Sequence, residues 1–318
     1  MLRKMLGLVL GLVVVVTGLG GLHGHASLVG ATTLAATGCA TGTEDLLAVN
    51  AAFEQDVVER VNVLRAGLEL PPLKRQSDLD RAARYHALDL VQDNYPPRQR
   101  PEGHSPHNSH DRVNGELVQV CTFSERLRKF YANMATGAEN LAYGYTTPAR
   151  AMDGWINSSG HYRNLTSTGS WEIGVGYASG AGTDWTHYWV QNFGRRSGVF
   201  PIIISNEAAR TTTPNVSLYI YGAGTYTEMR LRNDDGEWGA WQPFQSTLDW
   251  TLSNAAGERT VHVELRNTRG TVRSSDTIML DVGEVPTIPP TATPTDAPTN
   301  PTATPTDAPT NPTATPTD

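Results

Sequence analysis

The sequence predicts an α+β chain: a segment of mixed helices and strands, then an all-β segment, then a low-complexity tail. Three observations carry this expectation. Apolar residues recur every three or four positions from Phe53 to Leu68, and again from Leu79 to Leu90, which is helical spacing. Trp171–Tyr177 and His187–Phe193 read as strands; in the second, Trp189, Gln191 and Phe193 point one way and Tyr188, Val190 and Asn192 the other. After Gly194 the pattern changes to short alternating runs separated by turn signals. The chain has 318 residues, enough for about two ordinary domains. Its formal net charge is −7, which argues against a nucleic-acid binder, because such a protein carries a basic stripe.

Met1–Ala26 reads as an export signal. Arg3 and Lys4 supply the positive start, Leu6–Val16 the apolar run, and Gly24-His25-Ala26 the small residues for cleavage. The run is shorter than the roughly 20 residues a membrane span needs, so cleavage is expected rather than an anchor. The expected location is secreted or cell surface. Residues 27–50 are small and polar and read as a flexible leader.

The first domain is expected over residues 51–197. Its first helix carries Phe53, Val57, Val61, Leu64 and Leu68 and ends at Gly67 and Pro71. Ser77, with Asp80 three residues on, is the expected N-cap of the second, whose stripe is Leu79, Ala82, Ala83, His86 and Leu90. Asn94–Arg112 is rich in Pro, His, Asn and Arg and reads as irregular. Phe123, Leu127, Phe130 and Met134 suggest a further helix. Thr147 can cap another, with Pro148 in its first turn, where no N–H is needed. Met152, Trp155 and Ile156 share one face of it, and Ser158-Ser159-Gly160 stop it, so that His161 emerges beyond. Gly-rich Ala178–Thr186 makes the two strands a plausible hairpin.

A second domain, an all-β sandwich, is expected over residues 201–284. Its strands are Val216–Tyr221, Thr227–Arg232, Trp238–Phe244, Thr260–Arg266 and Thr277–Asp281, an architecture most like an immunoglobulin or fibronectin type III module. Trp238, Trp241 and Trp250 either pack that sandwich, the favoured reading, or form a carbohydrate-binding surface. Residues 285–318 form a Thr/Pro-rich tail expected to be disordered; from Pro290 it repeats PTATPTDAPTN.

Two cysteines are present, Cys39 and Cys121. Free thiols are the plain reading, given that Cys39 lies in the leader. A Cys39–Cys121 disulfide is the alternative outside the cytoplasm, and lipidation of Cys39 a third.

A set of short motifs runs through roughly Phe53–Gly194. The first are Val61-Asn62 with Arg65, Leu70-Pro71-Pro72-Leu73, Ala82-Ala83 with His86-Ala87 and Asp89, and Gly103-His104-Ser105-Pro106. They continue with Ala138-Glu139-Asn140-Leu141-Ala142, Gly154-Trp155-Ile156-Asn157-Ser158 and Gly160-His161-Tyr162-Arg163-Asn164-Leu165. Glu172-Ile173-Gly174-Val175-Gly176-Tyr177 and Tyr188-Trp189-Val190-Gln191-Asn192-Phe193-Gly194 complete the series. Single blocks are weak signals, but together and in this order they resemble the bacterial branch of the CAP superfamily, named for cysteine-rich secretory proteins, antigen 5 and pathogenesis-related 1 proteins. The resemblance implies a CAP-like α/β/α sandwich.

It also implies a cavity lined by His104, Glu139 and His161. The second glutamate of the eukaryotic proteins is replaced here by Ser158. Two imidazoles and a carboxylate suit Zn or another divalent metal, with a position left for water; without metal they could act as base and proton relay. The bland alternative is a hydrogen-bonded structural cluster in which Glu139, helped by Asn140, fixes nearby backbone. His104, His107 and His110 are evenly spaced, but Pro106 favours an exposed loop with only His104 turned inward. His86 reads as a core histidine near the cavity wall. Arg112, after Asp111, either anchors the loop through a carboxylate or is solvated.

The motifs of zincins, of serine-hydrolase elbows, of P-loops and of dinucleotide folds are absent from the sequence. The leading reading is an exported, non-enzymatic binding or interaction protein whose partner is a lipid, a sterol or a cell-envelope component. One alternative is a metal-dependent hydrolase or peptidase. The other is an adhesion protein that binds glycan or envelope through the β-sandwich.

Overall fold

The computed structural model describes residues 37–94 and 100–281. The expected signal peptide at 1–26 and the Thr/Pro tail at 285–318 lie outside them. The chain divides into two units between Val199 and Phe200.

The first unit is built on one four-stranded sheet, ordered β1-β5-β6-β4. These strands are Lys74–Arg75 (β1), Glu172–Ser179 (β5), His187–Arg196 (β6) and Met134–Tyr143 (β4). β5 and β6 form the expected hairpin, β4 lies antiparallel to β6, and β1 runs parallel to β5. β4 is therefore an edge strand. Helices Ala51–Gly67 (α1) and Pro148–Ile156 (α4) cover one face. Their Val57, Val58, Val61, Met152 and Trp155 pack on Trp189 and Phe193 of β6. Helix Ser77–Asp93 (α2) covers the other, where Ala83, Ala87 and Leu90 meet Tyr188 and Val190. The alternation of β6 thus sorts its side chains between two cores, as its sequence predicts.

α2 lies unusually close to β5. A Cβ on Gly174 would stand 2.1 Å from the Leu79 carbonyl carbon, and one on Gly176 2.3 Å from that of Ala83. No larger residue fits there without moving the helix. The cap of α2 is Gln76, not Ser77: the Gln76 side chain accepts from the N–H groups of Asp78 and Leu79. Asp80 instead turns inward and accepts from the Val175 N–H at 2.8 Å. Ile156, expected on the buried face of α4, is 37% exposed, while Met152 and Trp155 are buried.

Three further expectations are corrected. Ser109–Val113 (β2), which begins inside the stretch read as irregular, pairs with Glu116–Cys121 (β3) in a hairpin. The helix suggested by Phe123, Leu127, Phe130 and Met134 stops at Phe130: Phe123–Phe130 is α3, and Met134 opens β4. Thr122 and Glu125 form a capping box at the start of α3, a signal present in the sequence. The described part of the leader is not loose. Ala40 and Leu46 are buried beside Leu79, Ala82 and Phe130, and the Gly38 N–H donates to the Asp111 carboxylate at 3.0 Å. That packing brings Cys39 to Cys121, and the two form a disulfide with Cα atoms 5.2 Å apart.

The second unit is a two-sheet β-sandwich. One sheet has five strands, ordered β11-β10-β13-β14-β8, and the other three, ordered β12-β9-β7. The strands in chain order are Ile202–Ile204 (β7), Arg210–Thr211 (β8), Asn215–Ile220 (β9), Glu228–Asn233 (β10), Gln242–Pro243 (β11), Thr247–Thr251 (β12), Gly257–Asn267 (β13) and Gly270–Leu280 (β14). Inward residues Ile204, Leu218, Met229, Leu231, Val263 and Ile278 form its core. The expected strand at Trp238–Phe244 shrinks to Gln242–Pro243, and β12, which sequence reading missed, takes the next place. Trp250 packs against the core, as favoured, and its indole N–H donates to Asn233 Oδ1 at 2.6 Å. Trp238 and Trp241 do something else: they stack on arginines.

Reduction of Cys39–Cys121 is expected to lower stability by about 2–5 kcal/mol. Urea unfolding with and without reductant measures this, and a Cys39→Ala variant should match the reduced chain.

Candidate functional site

Glu139 and Asn140 sit side by side on β4, opposite Asn192 and Gln191 of β6. Strand alternation sends their side chains to opposite faces of the sheet. Each then organises a different piece of chain.

On the α2 face, the Glu139 carboxylate is 1% exposed. Its Oε2 accepts from Arg126 Nη2 at 2.6 Å, and its Oε1 bonds His107 Nδ1 at 2.9 Å. With the Asn192 amide turned to its bonding orientation, its nitrogen donates to Oε2 at 3.0 Å and its oxygen accepts from the Ala83 N–H at 3.1 Å. Arg126, also 1% exposed, uses its other amino group on the His107 carbonyl and on Ser109 Oγ, both at 3.0 Å. One buried guanidinium therefore holds both the acid and the histidine loop that covers it.

On the other face, Asn140 Nδ2 donates to Gln191 Oε1 at 3.1 Å and to the His161 carbonyl at 3.2 Å. Asn164 Nδ2 donates to Asn140 Oδ1 at 2.8 Å. His161 lies beyond α4, as expected, but on a short helix of its own, Ser159–Leu165 (α5), which includes Ser159 and Gly160. Arg65, buried at the end of α1, fixes the far end of α5 by donating to the Leu165 and Ser167 carbonyls at 2.8 and 2.9 Å. The Asn140 part of the expected structural cluster is thus present, directed at α5.

The histidine against Glu139 is His107, not His104. His104 instead lies beside His110, with ring centroids 5.3 Å apart. His-x-x-His spacing in a loop gives no means of telling which ring turns toward the acid. Arg126 escaped sequence reading as well. It stands next to Leu127 on an expected amphipathic helix, and a buried arginine requires an acceptor; that was the usable signal.

His86 is a core histidine, as expected, and is fully buried. Its Nε2 bonds the Pro106 carbonyl at 2.9 Å and stands 3.8 Å from Glu139 Oε1. Its Nδ1 bonds Asp89 Oδ2 at 3.1 Å. Burial, together with the nearby Arg126 charge, holds its pKa well below 6.5, so the ring is neutral. A neutral ring that donates from Nε2 to a carbonyl must accept at Nδ1. Asp89 then supplies that proton; burial and neighbouring Asp93 push its pKa well up.

A second titratable pair lies nearby. Burial pushes Asp93 up to about 7, and burial and the Arg100 guanidinium lower His110 to about 4. Arg112 anchors this region through backbone carbonyls, those of Asp93 at 2.7 Å and Gly115 at 3.2 Å. His161 is half-buried, and burial and the charge of His107 lower its pKa. His107, 39% exposed, forms the cover over Glu139.

A divalent ion does not fit this donor set as arranged. Among the described residues no three His, Cys, Asp or Glu side chains converge to hold one. Arg126 already neutralises Glu139, and its fixed charge opposes a second cation.

The three-layer fold and the acid on its edge strand define a CAP-type domain followed by a β-sandwich. Residues 58–193 match the model of the cysteine-rich secretory protein family, CAP, and this stretch is a CAP domain. It is 30% identical over 139 residues to YkwD, an uncharacterized protein of Bacillus subtilis (strain 168), across 44% of this chain and 47% of that one. It is 25% identical over 148 residues to YlbC, an uncharacterized membrane protein of the same organism, across 46% of this chain and 36% of that one. The chain thus spans about half, or less, of the length of the curated relatives it matches. Among solved structures, an extracellular protein containing an SCP domain from Bacillus anthracis str. Ames aligns at 24% identity with a TM-score of 0.37, covering 46% of this chain and 42% of that one. Among the described residues no helix is long and apolar enough to cross a membrane.

The neutral state of His86 gives the stability a sign with pH. Below about pH 6.5 the unfolded chain binds a proton that the folded chain refuses, so this contribution is complete above 6.5 and is lost as pH falls. In His86→Gln the fall in unfolding free energy between pH 6.5 and 5 should shrink by about 1–2 kcal/mol. Urea unfolding at the two pH values measures it.

Proposed function

We propose that the CAP domain is a non-enzymatic recognition module of an exported protein, taking its ligand against His107 and His161 at the β4 edge. The carrying observation is the engagement of both Glu139 oxygens, by Arg126 at 2.6 Å and His107 at 2.9 Å. A general base needs a lone pair free to receive a proton from a substrate or a water. This carboxylate is covered and committed, which suits an organiser of surface groups better than a base. The half-exposed His107 and His161 remain able to meet a ligand. The ligand class implied by the family resemblance is a lipid, a sterol or another cell-envelope component. Export is supported by the N-terminal apolar run and by the Cys39–Cys121 disulfide, which belongs to oxidising compartments.

The test is co-sedimentation of the full chain with phospholipid vesicles and with isolated peptidoglycan, each with zinc and with chelator. One of the two should carry the chain down, and chelator should leave the bound fraction unchanged. His107→Ala and His161→Ala should each weaken binding about tenfold. Binding that chelator abolishes, or peptide cleavage lost in His161→Ala, would replace this reading with the metal-dependent hydrolase.

A further inference from the structure

The β-sandwich carries a second set of ordered charges, independent of the CAP domain. Strand pairing places them in rows on one face of the five-stranded sheet. Glu228 lies opposite Arg266, Arg230 opposite Glu264, and Arg232 opposite His262. On β14, Arg273 continues the Glu264 row and Ser275 the His262 row. The segment after β10 brings Trp238 and Trp241 onto the same face. The Arg266 and Arg230 guanidiniums lie 4.0 and 4.6 Å from the Trp241 ring. Arg230 and Arg232 lie 5.2 and 4.9 Å from that of Trp238. Cations and rings alternate along the face.

Each of the first two rows carries one acid, which in the second is shared by two arginines, and the third row carries none. Glu228 accepts from Arg266 at 2.7 and 2.9 Å. Glu264 accepts from both Arg230 and Arg273. The third row holds Arg232, His262 and Ser275, with no carboxylate. Arg232 Nη1 reaches the Gly236 carbonyl at 3.4 Å, and its Nε is buried with no partner among the described residues. Asp234, the carboxylate next in the chain, is taken up by Arg259, Ser253 and the Thr260 N–H. A recess of about 180 Å³ opens here, lined by Arg232, Trp238, His262, Arg273, Ser274 and Ser275.

We propose that this recess binds an oxyanion carried on a sugar ring. The phosphate or sulfate sits between Arg232 and Arg273, with His262 and Ser275 as further donors, and the ring rests on Trp238. Guanidinium groups bind such anions through paired N–H bonds. An indole face supplies the apolar wall that orients a small ligand, and Trp238 lines the recess beside the two arginines.

The test is calorimetric titration of the full chain with glucose 6-phosphate, glucose 6-sulfate, glucose and inorganic phosphate. At least one charged sugar should bind, glucose should not, and inorganic phosphate should bind at least tenfold more weakly. A preference between the two esters names the natural anion and supports the site. Arg232→Gln and His262→Gln should each lower affinity at least tenfold. Should Arg232→Gln fail to fold, His262→Gln and Ser275→Ala, outside the stacked ladder, decide the matter. Absence of binding by both esters, affinity unchanged in His262→Gln, or inorganic phosphate binding as tightly as the sugar phosphate overturns the proposal.

Discussion

A guanidinium and a carboxylate withdrawn from water govern the arrangement of the CAP domain's functional edge. Arg126 and Glu139 are each 1% exposed and 2.6 Å apart. Neither charge is tolerable there alone, and loss of one partner costs about 3–5 kcal/mol, because it strands the other. The pair also has a geometric role. Arg126 comes from α3, Glu139 from β4, and the same guanidinium holds the His107 carbonyl and the Ser109 hydroxyl. The position of α3 depends in turn on the Thr122 capping box and on the disulfide at Cys121, one residue earlier. The packed segment around Cys39 is therefore linked through covalent and hydrogen bonds to the ring that covers the acid.

The sheet keeps two jobs apart by alternation. Glu139 faces Arg126 and the histidine loop, whereas Asn140 faces Gln191 and the backbone of α5. Two adjacent residues thereby bring segments from opposite sides to one strand edge. The β-sandwich uses charge differently. Its arginines remain on an outer face, stacked on indoles and matched row by row with acids, until the row that lacks one. Buried charge fixes a shape in the first unit, and unmatched charge leaves a capacity to bind in the second.

Much of this was legible in the sequence. Helical and strand periodicity located α1, α2, β5, β6 and most strands of the sandwich, and the ordered motifs pointed to the CAP domain. Glu139 and Asn140 were singled out as neighbours, and each anchors several hydrogen bonds. The choice of His104 over His107 failed because loop spacing carries no orientation. Ser77 was read as a cap because glutamine is a less usual one, yet Gln76 does the capping. The leader looked loose because only Ala40 and Leu46 among its described residues are buried, and the rest of its order comes from backbone bonds to Asp111 and Tyr85. Arg126 was not singled out because sequence alone does not show that a charged side chain beside an apolar stripe turns inward.

The ion pair is the claim on which the rest hangs, and a double-mutant cycle addresses it directly. Unfolding free energies would be measured for the parent chain, Arg126→Met, Glu139→Gln and the double variant. If the pair organises the edge, each single change is costly and the double change costs at least about 2 kcal/mol less than their sum. Additivity within about 0.5 kcal/mol would mean the two charges do not depend on one another, and the account of this edge would be wrong.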